Sequence, residues 1–160
     1  MMRGKRVTSC RDRFSLAVQP SLETMADDHA IQRLLCDDLE RVADQLPALP
    51  ALRDLRRISD RIMRITRSHF PRAETVLRGL PAERRPPLEA LATLHEMHVL
   101  DEMHGQDLVV ALWEHAGAPG GGNVGQLSYM LRGFFDGCRR AISLKESYLA
   151  FAANDAVRRG

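Results

Sequence analysis

The chain has 160 residues, of which 44% are hydrophobic and 5% aromatic, and its formal net charge is +2. This length predicts a single domain, and the abundance of Leu, Ala, Arg and Glu beside few β-branched runs favours helices. No apolar run approaches the ~20 residues of a membrane span, so we expect no membrane association. Basic and acidic residues alternate along the chain, and we expect no nucleic-acid partner.

Cysteine usage and the first residues of the chain indicate a cytoplasmic protein with a short basic extension. Cys10, Cys36 and Cys138 form no Cys-x-x-Cys motif and are odd in number, which is typical of reduced thiols rather than a disulfide framework. Residues 1–20 are rich in Arg and Lys and lack a signal-peptide core. We expect a basic, disordered arm over residues 1–20 and one folded domain over residues 21–160.

A first helix is predicted from the N-cap Ser21 to about residue 46, where Pro47 stops it. Its residues at three- and four-residue spacing form one inward face. His29 shares this face with apolar residues, which makes it a candidate core or ligand side chain. The predicted face consists of His29, Gln32, Cys36, Leu39, Ala43 and Leu46.

A second helix is predicted over residues 51–80, with His69 on its apolar face. Pro71 lies inside this segment, where it removes a backbone donor at a cost of about 3 kcal/mol. We therefore expect a kink or a widened turn just after His69. Glu74 is one residue out of register for the inward face. Two alternatives remain for it: the widened turn carries its carboxylate inward, or it is a surface acid.

A third helix is predicted over residues 87–116, and polar residues interrupt the middle of its apolar stripe. A buried imidazole or carboxylate needs a metal, a hydrogen-bond partner or a counter-ion, because an unpaired polar group costs several kcal/mol. His95 is a candidate spare ligand or hydrogen-bond partner beside His98. The predicted stripe consists of Leu88, Leu91, His95, His98, Glu102, Gly105, Val109 and Leu112.

A fourth helix is predicted over residues 124–157, with Phe134, Cys138, Ala141 and Lys145 on one face. Four long amphipathic segments joined by short Pro- and Gly-containing connections predict an all-α, antiparallel up-down-up-down four-helix bundle.

The predicted inward faces suggest a metal site. His29, His69 and His98 come from three different helices, and Glu102 follows His98 by four residues, on the same helix face. Imidazole nitrogens with a carboxylate oxygen suit iron or zinc better than calcium or magnesium. No catalytic arrangement of nucleophile and base is present at a suggestive spacing, so we do not expect an enzyme.

Several segments resemble the hemerythrin-like (HHE) domains of bacteria. They are residues 28–33 (DHAIQR), the pair His69 and Phe70, residues 98–102 (HVLDE) and the pair Arg139 and Arg140. The resemblance covers most of the chain after residue 20. It implies a four-helix bundle around a carboxylate-bridged di-iron centre that binds oxygen, handles iron, or senses oxygen, nitric oxide or redox state.

Transferred residue by residue, the resemblance implies an incomplete ligand set. His29, His69, His98 and Glu102 match ligand positions. The family's remaining ligand positions, a carboxylate, a histidine and a second carboxylate, are occupied here by Ala73, Ala141 and Lys145. Three imidazoles and one carboxylate suffice for one metal ion but not for two. We expect Lys145 to pair with Glu102 and so to replace one metal by a fixed charge.

Two functions follow from this set. The first is a soluble hemerythrin-like domain that binds at most one metal ion, with iron as the expected ion, and acts in oxygen, redox or iron sensing or handling. The alternative is a metal-free, degenerate bundle that serves as a protein-interaction or regulatory module with a protein partner.

Overall fold

The structure, a computed structural model, describes residues 21–118 and 122–158, with side chains up to residue 150. These residues form helices and contain no strand, which confirms the predicted all-α class. The predicted arm over residues 1–20 lies outside the described residues. The helices are α1 (Leu22–Gln45), α2 (Leu52–Arg64), a π-helical turn (Ile65–His69), α3 (Phe70–Arg78), α4 (Leu88–Gly117) and α5 (Val124–Arg158).

Because α2, the π-helical turn and α3 follow one another without a break, the described chain consists of four helical segments. The predicted ends of these segments are confirmed to within a few residues. Ser21 caps α1, since its Oγ accepts a hydrogen bond from the backbone N–H of Thr24 at 3.1 Å. None of the described helices combines the length and apolar character needed to cross a lipid bilayer.

The segments pack through α1 against α5, α4 against α5, and α4 against α2 and α3. Two apolar cores lie between them, and His29, His69 and His98 each lie between members of the two cores along the chain. The larger core includes Leu35, Leu39, Leu55, Ile62, Leu108, Leu112 and Phe134. The smaller core includes Met25, Ala73, Val76, Leu77, Leu80, Leu91 and Leu94.

The buried face of α4 differs from the predicted stripe. Four predicted positions are buried as expected: Leu91, His98, Gly105 and Leu112. At the positions between them, the buried residue is the one that precedes the predicted residue. Leu94, Asp101 and Leu108 point inward where His95, Glu102 and Val109 were predicted, and Leu88 is exposed. Both sets have helical spacing, so periodicity alone did not distinguish them; the apolar character of Leu94 and Leu108 favours the observed set.

The irregularity expected near Pro71 is present, but the widened turn spans Ile65–His69 and therefore ends at His69 rather than following it. In this turn the N–H of Phe70 donates to the carbonyl of Ile65, five residues earlier. Pro71 then lies in the first turn of α3, where a missing N–H is tolerated. Glu74 is carried inward, and its side chain is only 14% exposed. The surface-acid alternative for Glu74 is therefore wrong.

Gly105 allows α4 to approach its neighbours closely. A Cβ atom at this position would lie 3.0 Å from Phe134, 3.1 Å from Ile62 and 3.2 Å from Thr66. These distances are shorter than ordinary van der Waals contacts, so the absence of a side chain at position 105 is a packing requirement.

We expect Gly105→Val to lower the free energy of unfolding by about 1 to 3 kcal/mol, because its methyl groups would overpack this contact. The measurement is urea denaturation followed by circular dichroism. Gly133→Val is the matched control, since Gly133 lies on exposed helix with nothing within 4 Å of a Cβ. Equal effects at the two positions would show that close packing at Gly105 is unimportant.

Candidate functional site

Lys145 on α5 is the centre of a buried polar layer. Its side chain is completely buried (0% exposed), and its Nζ lies 3.5 Å from Nε2 of His98. The same Nζ lies 5.6 Å from the centroid of the Phe70 ring. Phe70 stacks on His98 with ring centroids 4.2 Å apart. Burial of the ammonium lowers the pKa of Lys145 from 10.5 to about 8.

His98 is held between Lys145 and a carboxylate. Its Nδ1 lies 2.7 Å from Oε1 of Glu74. Because an ammonium can only donate, Nε2 accepts from Lys145 and the Nδ1–H donates to Glu74. Burial, followed by the charge of Lys145, lowers the pKa of His98 to about 4. The imidazole is therefore neutral at physiological pH.

His69 on the π-helical turn makes a similar contact with α1. Its Nδ1 lies 2.7 Å from Oδ1 of Asp28. Arg72 donates to both oxygens of the same carboxylate, from Nη2 at 2.9 Å and from Nε at 3.1 Å. Burial is the main cause of the lowered pKa of His69. Asp28 thus joins α1 to the π-helical turn through the His69 imidazole and to α3 through the Arg72 guanidinium.

His29 on α1 faces α5. Its Nδ1 lies 3.2 Å from Oε1 of Glu146, whose other oxygen accepts a hydrogen bond from Arg33 at 2.6 Å. Burial and then the charge of Lys145 lower the pKa of His29. Arg33 holds the pKa of Glu146 below its usual range, so this carboxylate is ionised.

The three imidazoles share one arrangement: each presents Nδ1 to a carboxylate from a different helical segment. Nε2 of His29 and Nε2 of His69 are buried and have no hydrogen-bond partner within the described part of the chain. A carboxylate on one ring nitrogen and a free second nitrogen is the arrangement that metal-binding histidines adopt. This part of the layer suits a cation.

The rest of the layer does not fit a bound metal ion. Among the described residues, no group of three or more His, Cys, Asp or Glu side chains is placed to hold one. Glu102 is half-buried and accepts a hydrogen bond from Gln106 at 3.3 Å. The Lys145 ammonium, next to His98, brings a positive charge to the place where a cation would bind.

The predicted ion pair between Lys145 and Glu102 is wrong. Both residues are described, and no contact within 4.0 Å joins them; Glu102 turns away because the inward face of α4 carries Asp101 instead. His95 also points outward, with 58% of its side chain exposed, and contacts Glu74 at 3.0 Å. Of the predicted candidates, the structure brings His98 and Glu74 into direct contact.

Ala73 and Ala141, which occupy two of the ligand positions implied by the resemblance, are both buried. Ala73 packs in the smaller core, and Ala141 is fully buried on α5. These positions therefore add apolar surface to the interior. Among the described candidates, His29, His69 and His98 are buried at their predicted inward positions, and Glu74 is carried inward with them.

Sequence reasoning missed Asp28, Arg72, Asp101 and Glu146. Asp101 is buried, one oxygen has no partner within the described residues, and burial raises its pKa to about 6. Its Oδ1 lies 2.7 Å from where a Cβ of Gly137 would be, so α5 accommodates the carboxylate with a glycine. The spacing of Leu94, Asp101 and Leu108 is the signal that could have revealed it.

No protein-family model, curated protein or solved structure matches this chain. The likeness to hemerythrin-like domains therefore depends on the residue pattern quoted above.

We expect Glu74→Gln to lower the free energy of unfolding by about 1 to 3 kcal/mol, because His98 loses a charged acceptor and Lys145 a nearby negative charge. Chemical denaturation at neutral pH measures this. Glu96→Gln is the control, since Glu96 is an exposed acid on α4; a change there should stay within about 0.5 kcal/mol. Similar values for the two variants would contradict the role of Glu74.

Lys145 predicts a specific pH dependence. Its pKa is lower in the folded protein than in the unfolded chain, so the unfolded chain binds more protons between about pH 8 and pH 10.5. Relative to Lys145→Met, the wild-type free energy of unfolding should therefore rise by on the order of 2 kcal/mol from about pH 8 to about pH 10. If the free energies of unfolding of the two proteins changed with pH in parallel, the pKa of Lys145 would not be lowered in the folded protein.

Proposed function

We propose that this chain is a metal-free hemerythrin-like bundle, with antiparallel up-down-up-down helices, that serves as a protein-interaction or regulatory module in the cytoplasm. One observation carries the proposal: the buried Lys145 ammonium lies 3.5 Å from Nε2 of His98. A lysine on the inward face of the last helix takes the place of a carboxylate that the family resemblance expects. A built-in cation thus takes the place of a bound one.

Electrostatics supports this interpretation. The Lys145 ammonium and a metal ion bound beside it would repel each other strongly, because the interior is poorly solvated. The carboxylates that would attract a metal ion already compensate other groups: Glu74 pairs with His98 and Asp28 with Arg72. A divalent ion would have to displace the ammonium and disrupt these pairs.

The exposed face of α4 supports an interaction role. Val99, Met103 and Val110 are four and seven residues apart, so they share one face of the helix. All three are large apolar side chains exposed to solvent. Exposed apolar side chains that share one helix face offer apolar surface for contact with a partner.

We expect the wild-type protein, refolded anaerobically with ferrous iron and desalted, to retain less than about a tenth of an equivalent of iron. Elemental analysis measures this. The double variant Lys145→Glu with Ala141→His removes the ammonium and introduces a carboxylate and an imidazole. It should contain more iron than the wild-type protein and show an absorption band in air.

Arg140→Glu with Ser143→His is the matched control, because it introduces the same two residues on the exposed side of α5. It should leave the iron content at the wild-type level. About one equivalent of iron in the wild-type protein would overturn the proposal, whether or not the double variant folds.

A second candidate is the domain that binds a single metal ion, with iron as the expected ion, for oxygen, redox or iron sensing. The buried Nε2 atoms of His29 and His69, which have no partner in the described structure, favour it. Binding would require Lys145 to move away from His98. The same measurement of iron in the wild-type protein distinguishes the two candidates.

A further inference from the structure

Two buried thiols lie on contacting turns of α1 and α5. Cys36 and Cys138 are each about 1% exposed, are not joined by a disulfide, and belong to the larger core. The Cys36 thiol donates a hydrogen bond to the carbonyl of Phe135 at 3.7 Å. Phe135 is one helical turn before Cys138, so this contact places Cys36 against the turn that carries Cys138.

An ion-pair cluster beside the thiols holds the two turns together. Arg139, which follows Cys138, donates to Asp37 at 2.9 Å and to Glu40 at 2.7 Å. Asp37 follows Cys36 directly on α1. The residues next to both cysteines are therefore paired across the same helix contact, which keeps the thiols in register.

The two thiols have unequal environments. The neighbouring Cys138 thiol, and to a smaller extent the charge of Arg139, lower the pKa of Cys36. The same thiol contact and burial raise the pKa of Cys138 well above its ordinary value. Cys36 is therefore the better nucleophile of the pair, and Cys138 is placed to resolve an oxidised Cys36.

We propose that Cys36 and Cys138 form a reversible disulfide that joins α1 to α5 when the protein meets hydrogen peroxide. The Cys36 thiolate attacks the terminal peroxide oxygen, breaking the O–O bond and giving a sulfenic acid with release of hydroxide. The sulfur of Cys138 then attacks the sulfenic sulfur, forming the S–S bond and breaking the S–O bond. The leaving hydroxyl takes up the Cys138 thiol proton and departs as water. The two thiols lose two electrons in total, and hydrogen peroxide is reduced to two water molecules.

The burial of both thiols defines the oxidant. Only a small molecule such as hydrogen peroxide can reach them without unfolding the bundle, so bulky disulfide reagents should react slowly with the native protein. The loop closed by the bond spans residues 36–138, and closing a loop of this length restricts the unfolded chain. The oxidised protein should therefore unfold at a higher urea concentration than the reduced one.

The test uses the full chain with Cys10→Ser, which keeps Cys36 and Cys138 as the only thiols. After treatment with hydrogen peroxide and removal of the reagent, intact mass spectrometry should show the loss of two hydrogen atoms. Peptide mapping without reductant should recover the peptide of Cys36 joined to that of Cys138 within one chain. Dithiothreitol should restore the reduced mass and lower the urea midpoint.

The control carries Cys36→Ala in addition and should show no loss of two hydrogen atoms. The main result comes from the Cys10→Ser protein, which keeps both native thiols, so it does not depend on whether this control folds. The proposal is overturned if peroxide only adds oxygen atoms, if both thiols remain free, if the linkage forms only between chains, or if the linked protein has no higher urea midpoint. None of these outcomes depends on whether the protein binds iron.

Discussion

The burial of one ammonium group constrains the rest of this structure. Lys145 is fully buried, and its Nζ lies 3.5 Å from a neutral imidazole nitrogen of His98, which is its acceptor. A charge in such a place is tolerated only when hydrogen bonds and opposite charges compensate it. Asp28, Glu74 and Asp101 raise the pKa of Lys145 against the effect of burial, and they come from three different helical segments.

The polar layer therefore acts as a set of ties between helices. Glu74 on α3 holds His98 on α4, Asp28 on α1 holds His69 on the π-helical turn, and Glu146 on α5 holds His29 on α1. Apolar cores lie on either side of this layer. Hydrophobic burial supplies most of the stability of such a bundle, whereas the paired polar groups determine the register in which the helices meet.

The π-helical turn links the sequence anomaly at Pro71 to the site. The extra residue in the turn changes the phase of the helix, so that the segment before it and α3 after it can each face the interior. The turn ends at His69, and Glu74 follows five residues later. His69 and Glu74 both belong to the polar layer, so this local irregularity of the backbone places two candidate site residues in the interior.

The sequence by itself predicted the helical class and the helix ends, because caps and prolines act locally. Apolar spacing also predicted the inward positions of four polar residues: His29, His69, His98 and Lys145. The sequence did not determine whether Asp101 or Glu102 faces the interior, since both fit a helical spacing. Packing of Asp101 against Gly137 decided between them. The partner of Lys145 was likewise settled by tertiary structure. Which side chains meet across a core depends on the relative rotation of whole helices, and that rotation is a property of the packed bundle.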